Sequence, residues 1–471
     1  MSGSIEQPRF SCALGAQQSV VAIRRSVPVL HSGPGCANKI ERLIGQGEGY
    51  AGGSTIPCTN ASEKEVVFGG ETRLREVLDG AFKVIDADLF VVLTGCTSDI
   101  VGDDVGSVVK DYRKRGLPIV FAETGGFKSN NYVSHEVVVN AIIDQYAIPN
   151  RAPGGVKQGL VNVFATVPYQ DPYWQGNLAE LKRILTGIGF TVNILFGPES
   201  EGLSEWREIP NAQFNIVVGA WVGLRVAKHL EETVGTPYLH FPYLPVGGIA
   251  STEFLRAAGA FGGLPKQQVE AFVADEERKF YTHIERMADF ILEFRYGLPR
   301  RFYSILDASY AIGFSKYLLN ELGILPARQY VIDDTPPAHR KAIEEQFAHL
   351  SDRRSAEVVF ETDGGRISRE IRQDGNSSRA LILGSGWDRD LASDLHADLL
   401  ILSVPVQYRL ILNCGYAGYR GDCGRSRTFT TGCSIPTVEK EALHGVSCGG
   451  GQLGWRADRS PFRAGAYVLY L

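Results

Sequence analysis

Three times before residue 130 an apolar run of strand length stops at a glycine-bearing turn. Val27-Pro28-Val29-Leu30 leads into His31-Ser32-Gly33-Pro34-Gly35-Cys36. Residues 89–93 lead into Thr94-Gly95-Cys96, and Pro118-Ile119-Val120-Phe121 leads into Glu123-Thr124-Gly125-Gly126. The runs are continuously apolar instead of alternating, and helical patterns at 72–84 and 100–115 separate them. Strands buried on both faces belong to parallel sheets with helices on each side. In such sheets all strands point the same way, so the three turns should lie side by side at one edge, where open α/β sheets place their chemistry.

The alternation recurs twice. Strands are expected at 161–164, 192–196 and 214–218, with helices at 177–187 and 221–233. A long helix at 267–296 reads as a bridge between lobes. From residue 301 the pattern restarts, with strands at 302–306, 329–332, 357–360, 380–383 and 399–403 and helices at 309–322 and 339–350. The chain of 471 residues is too long for one core. It divides into an N-terminal α/β domain at 1–155, a second at 156–298 and a third at 299–420. The tail, 421–471, turns rich in Gly, Ser, Arg and Cys and loses helical periodicity. It reads either as a loop-rich terminus or as a segment foreign to the fold, such as a shifted reading frame. Its Cys423, Cys433 and Cys448 receive no function.

A net charge of −5 and the absence of any basic cluster argue against nucleic acid as a partner. No apolar run reaches the ~18–20 residues of a membrane span, and residues 1–10 lack a signal core, so a cytoplasmic location is expected. Cysteines in such a chain serve as buried thiols, metal ligands or catalytic groups more often than as disulfides.

The cysteines carry the sharpest chemical signal. Cys12, Cys36, Cys58 and Cys96 precede residue 100, and none follows until Cys414. Their spacing is too wide for a zinc ribbon or a CxxC pair, so any shared metal needs ligands that converge from separate turns. Cys36 and Cys96 each follow a glycine at a strand end, and Cys12 sits outside any core strand. Thiolates among glycine turns suit iron–sulfur ligation, the neighbouring backbone N–H groups pointing at the cluster; zinc is the alternative on composition. No GxxxxGK[ST] and no GxGxxG opening a helix is present, and Gly384-Ser385-Gly386 reads as a turn. Any ATP chemistry therefore belongs to another protein. Asp103-Asp104 reads as dipole-stabilising residues of a first helical turn, and His31 as a hydrogen-bonded turn histidine.

At these residues the sequence resembles the nitrogenase component 1 family. The matching elements are Phe10-Ser11-Cys12-Ala13-Leu14-Gly15-Ala16, His31 to Cys36, Val66-Val67-Phe68-Gly69-Gly70, and Gly95-Cys96 through Asp103-Asp104. The likeness continues through Gln170-Asp171-Pro172-Tyr173-Trp174-Gln175-Gly176-Asn177 to Gly415-Tyr416-Ala417-Gly418. It implies three Rossmann-like domains with parallel sheets. It also implies a P-cluster-type iron–sulfur relay held by Cys12, Cys36 and Cys96 together with a homologous α-type subunit, in an α2β2 assembly. Phe68 would lie where an ATP-hydrolysing iron protein docks.

No cysteine occurs between Thr97 and Asn413. The cysteine for an active-site cofactor is therefore missing, which points to a β-type subunit with the substrate pocket in its partner. The resemblance departs at Gly126, where β subunits of the family carry a serine able to ligate the oxidised cluster, and at the tail, which replaces a C-terminal helix. The implied function is a reductase subunit acting on dinitrogen or another small molecule such as a methylthio-alkane. The alternative is a non-catalytic cofactor-assembly scaffold.

Overall fold

The strands of the described residues form three sheets in which every pairing is parallel. The computed structural model describes residues 5–38, 56–293, 298–351, 353–374, 380–406 and 411–420. The tail from 421 with Cys423, Cys433 and Cys448 lies outside them.

In the first sheet β1 (Ser26–His31), β2 (Leu89–Thr94) and β3 (Ile119–Ala122) stand in that order. Strand β2 is buried along its whole length, as its unbroken apolar run requires. His31 pairs with Thr94 and Leu93 with Ala122, so the three turns emerge side by side.

The second sheet holds β4 (Lys157–Phe164), β5 (Thr191–Asn193), β6 (Ala212–Val218) and β7 (Tyr238–Phe241), ordered β5-β4-β6-β7. The third holds β8 (Arg301–Leu306), β9 (Leu325–Val331), β10 (Val358–Phe360), β11 (Leu381–Gly384) and β12 (Asp398–Ile401), ordered β10-β9-β8-β11-β12. That last order is doubly wound, with β8 as the strand from which the chain turns both ways.

One continuous set of buried side chains runs through all three sheets, including Leu30, Leu93, Val161, Ile216, Leu306 and Leu383. A second set packs Phe90 and Val92 against Leu74, Leu78, Val108 and Val109 of the flanking helices Glu71–Val84 and Val105–Lys114. Each fully buried Val or Leu contributes about 1.5–3 kcal/mol.

Three expectations needed correction. The helix expected over 100–115 is two helices, Cys96–Val101 and Val105–Lys114. Gly102 at φ +80° ends the first in the left-handed region, and the Asp104 side chain restarts the second by accepting the Ser107 N–H at 2.8 Å. The strand at 192–196 stops at Asn193, and Leu195, at φ +66°, turns its N–H to the Glu205 carboxylate. The helix at 221–233 begins only at Leu224, after Gly223 at φ +93°. Strand β7 and the helix Gly247–Phe261 went unread, because glycine and alanine blur the helical period of the latter. That helix receives the long helix Lys266–Glu293, whose Val269 and Phe280 lie against Gly259 and Gly248. Phe272 of the long helix also lies against Gly187 of the helix Trp174–Ile188. It thus packs on helices of the second sheet.

The elements 170–177 and 415–418 meet directly. Asn177 Oδ1 accepts the Tyr416 and Ala417 N–H groups at 2.7 and 2.9 Å, and a Cβ on Gly176 would collide with the Cys414 carbonyl.

Candidate functional site

The cysteine turns are laced together by backbone and hydroxyl hydrogen bonds. Gly95 N–H donates to the His31 carbonyl at 3.0 Å, and the Ser98 hydroxyl donates to the same carbonyl at 2.9 Å. Thr124 clasps Thr94 twice, N–H to Oγ1 at 3.0 Å and Oγ1 to the carbonyl at 2.8 Å. Glycine is needed where the turns touch. A Cβ on Gly95 would overlap Ser32 Oγ, and one on Gly125 would overlap the Asp99 carboxylate.

Cys12 arrives on a separate strap. Glu6 accepts the Gly364 N–H at 2.8 Å, and Arg9 forms a buried ion pair with Asp388 at 2.9 and 3.1 Å while also touching Ser385. The Gln170 amide then holds the Arg9 carbonyl at 2.7 Å, and Asn131 Oδ1 accepts the Ser11 N–H at 2.9 Å. The strap thereby passes from the third sheet to the first, and Cys12 bridges to Asn130 beside the third turn.

Gly126 is where two of the predicted ligands meet. A Cβ built there would stand 2.9 Å from Cys96 Sγ and 3.6 Å from the Cys12 Cβ. Cys12 is exposed, and Cys36 and Cys96 are half-buried free thiols. Cys36 stands on the neighbouring turn, inside the helical stretch 34–38. Beside it lies Cys58, which sequence reasoning noted but did not select. Its thiol donates to the Ser32 carbonyl at 3.4 Å and accepts the Asn60 N–H at 3.4 Å; burial, then the nearby Cys36, pushes it up. The thiol set, the missing Cβ at Gly126 and the orphaned buried Ser32 hydroxyl suit a sulfur-rich cluster at these turns. Among the described residues, no group of three or more His, Cys, Asp or Glu is arranged to hold a metal ion by itself.

His31 is hydrogen-bonded on both ring nitrogens, Nδ1 to Thr59 Oγ1 at 3.2 Å and Nε2 to Asp103 Oδ2 at 2.9 Å. Burial pushes it below the usual histidine range despite the pull of Asp103. Asp103 thus holds a strand end, while Asp104 alone serves as the helix cap.

Phe68 ends the short helix Glu63–Phe68, which starts at a capping box between Ser62 and Glu65 and packs on the Cys96–Val101 helix. Val66, Val67 and Phe68 are 49, 70 and 82 % exposed, a contiguous apolar surface. Ile100 and Phe127 are also exposed, four residues beyond Cys96 and next to Gly126.

The buried acids Asp171 and Asp333 and the half-buried Asp307 were given no role by sequence reasoning. The last two each follow an apolar strand directly, which is the signal that could have found them.

No helix among the described residues is long and apolar enough to cross a membrane. The family of nitrogenase component 1 type oxidoreductases matches residues 11–423. The vanadium-iron nitrogenase β chain of Trichormus variabilis is 23% identical over 448 residues, covering 88% of this chain and 90% of its own. The molybdenum-iron nitrogenase β chain of Methanococcus maripaludis is 22% identical, covering 86% and 89%. A chain of the light-independent protochlorophyllide reductase of Angiopteris evecta is 25% identical over 50% of this chain and 47% of its own. A solved structure of nitrogenase Cp1 at pH 6.5 superposes with a TM-score of 0.74 at 18% identity, covering 95% of this chain and 96% of the other, and so shares the fold. With that match over most of its length, the chain belongs to the nitrogenase component 1 type oxidoreductase family.

Proposed function

We propose that the chain is the β-type subunit of a nitrogenase-like reductase, paired with a homologous α-type subunit in an α2β2 assembly. Cys12, Cys36 and Cys96 would hold a P-type iron–sulfur cluster shared with that partner. When bound, the cluster supplies one-electron relay chemistry between an ATP-hydrolysing iron protein and a metal cofactor in the partner. The observation that carries the reading is the meeting of Cys12 and Cys96 over Gly126, two thiols 84 positions apart brought onto one turn. A half-site of exposed and half-buried thiols beside exposed Phe127 and Ile100 is what a cluster completed by a second chain requires.

This chain's own contribution is placement. The strap through Arg9 and Asp388 delivers Cys12, and the laced turns hold Cys36 and Cys96. The exposed apolar surface around Phe68 lies on a helix that packs against the Cys96 helix, which suits docking of the iron protein beside the cluster. The substrate would be dinitrogen or another small molecule such as a methylthio-alkane, bound in the partner. Retention of three thiols favours electron transfer over a role as a cofactor-assembly scaffold.

The test is Cys96→Ala in the complex purified anaerobically with its partner. Iron per complex and reductase turnover should both fall; unchanged values would sink the proposal. A complex that holds iron but shows no turnover with any iron protein would favour the scaffold.

A further inference from the structure

Away from the cysteines, three carboxylates converge where the second and third sheets face each other. Asp307 follows β8, Asp333 follows β9, and Asp171 lies beyond β4 with Thr166. Together they line a cavity with about 30 Å³ open to a water centre, room for one or two waters or a small ion. Both sheets wind outward in two directions from the strand that feeds this cavity. Strand β4 sits between β5 and β6, and β8 between β9 and β11. Such switch points are where open α/β sheets hold ligands.

The hydrogen bonds leave one place unfilled. Asp171 accepts from the Tyr310 hydroxyl at 2.6 Å, the Tyr173 N–H at 2.8 Å and the Asn177 amide at 2.9 Å. Asp333 accepts from the Trp221 indole at 3.1 Å, the Ala308 N–H at 3.0 Å and the Thr335 hydroxyl. At Asp307 the Ser309 and Tyr310 N–H groups, at 3.0 and 3.2 Å, both go to Oδ1. The Thr166 hydroxyl, nine-tenths buried in the cavity wall, has no partner. Among the described residues, no Lys, Arg or His lines the cavity. Two buried acids beside a third that is half-buried, with no positive charge among them, are costly unless one is neutralised.

We propose that this cavity binds one monovalent cation, of the potassium or sodium class, with the Asp307 carboxylate and the Thr166 hydroxyl among its ligands. A divalent ion fits less well. It asks for several carboxylates free to bind, whereas the oxygens of Asp171 and Asp333 are already taken by the donors named above. One positive charge answers the one carboxylate left short of donors. Protons compete for the same oxygen. Burial, with Asp333 and Asp171 adding, pushes the Asp307 carboxyl up to about 8, and the facing Tyr132 and Tyr310 stay neutral because burial pushes them far up as well.

The test is equilibrium dialysis of the full-length protein with radioactive rubidium in choline buffer. About one rubidium per chain should be retained and displaced by potassium. Asp307→Asn, which keeps the helix cap, should weaken retention about tenfold or more. Thr166→Val should weaken it and Thr166→Ser restore it. In parallel, potassium chloride should raise the melting temperature by about 2 °C over choline chloride at equal ionic strength in the parent protein but not in Asp307→Asn. No retention above background overturns the proposal, as does retention unchanged in Asp307→Asn; a cavity holding only a proton and water gives the first result.

Discussion

His31 Nε2 stands 2.9 Å from Asp103 Oδ2, and the other oxygen of that carboxylate accepts the Gly70 N–H at 2.8 Å. The three residues press closely: a Cβ on Gly70 would lie 2.7 Å from His31 Cε1 and 2.6 Å from Asp103 Oδ2. One carboxylate therefore ties the strand end that leads to Cys36 to the segment that ends the Phe68 helix. Asp103→Ala leaves a buried imidazole and a backbone N–H without their acceptor, which costs about 1–3 kcal/mol. The expected result is faster hydrogen exchange at Val66–Phe68 with β2 amides unchanged, read by mass spectrometry.

Gly126→Ala inserts a methyl group 2.9 Å from Cys96 Sγ, closer than side chains tolerate. In this chain the Cys96 thiol stands in the space that a side chain at 126, such as the family's serine, would need, so it must swing away and iron per anaerobic complex should drop. Gly35→Ala is the control: a Cβ there meets nothing within 4 Å, and iron content should not change.

Phe68 is 82 % exposed, so Phe68→Ala should alter stability by less than about 0.5 kcal/mol. On the docking reading it should raise the iron protein concentration needed for half-maximal turnover while leaving iron content intact. An unchanged concentration dependence would remove Phe68 from the docking surface.

Arg9 and Asp388 are 2 and 4 % exposed at the side chain and lie 379 positions apart. Asp388→Ala strands a buried guanidinium, a change worth about 3–5 kcal/mol. The melting temperature should fall, and iron retention should fall with it because the strap carries Cys12. Arg9→Met strands the Asp388 carboxylate in turn, with only the Ser385 N–H and hydroxyl as donors, and should cost a comparable amount.

His135 is fully buried with Nδ1 2.7 Å from Ser19 Oγ, and burial pushes it down to about 4. In the unfolded chain it titrates near 6.5, so as pH falls the unfolded state takes up its proton first. Its contribution is intact above about 6.5 and is lost progressively down to about 4, on the order of 3 kcal/mol in all. Neighbouring Glu136, raised to about 7 by burial, acts in the opposite sense, losing stability as pH rises from 4.5 towards 7. The informative quantity is therefore the difference between parent and His135→Gln. The variant should show a shallower fall in melting temperature between pH 6.5 and 4.

Most of the sheet strands, their parallel direction and the placing of Cys36 and Cys96 just beyond strand ends were legible in the sequence; that both lie in short helical stretches was not. Apolar runs and glycines act on their immediate neighbours, and that local physics survives in a one-dimensional reading. The helix break at Gly102 was harder, because the same residues keep a helical period on both sides. What the tertiary structure alone decided is which distant groups touch. Cys12 and Cys96 meet over Gly126, Asp103 grips His31 and Gly70, and Asp171, Asp307 and Asp333 share one cavity. These contacts join residues tens to hundreds of positions apart. They depend on how the sheets pack, and no spacing or periodicity in the chain encodes a distance across that packing.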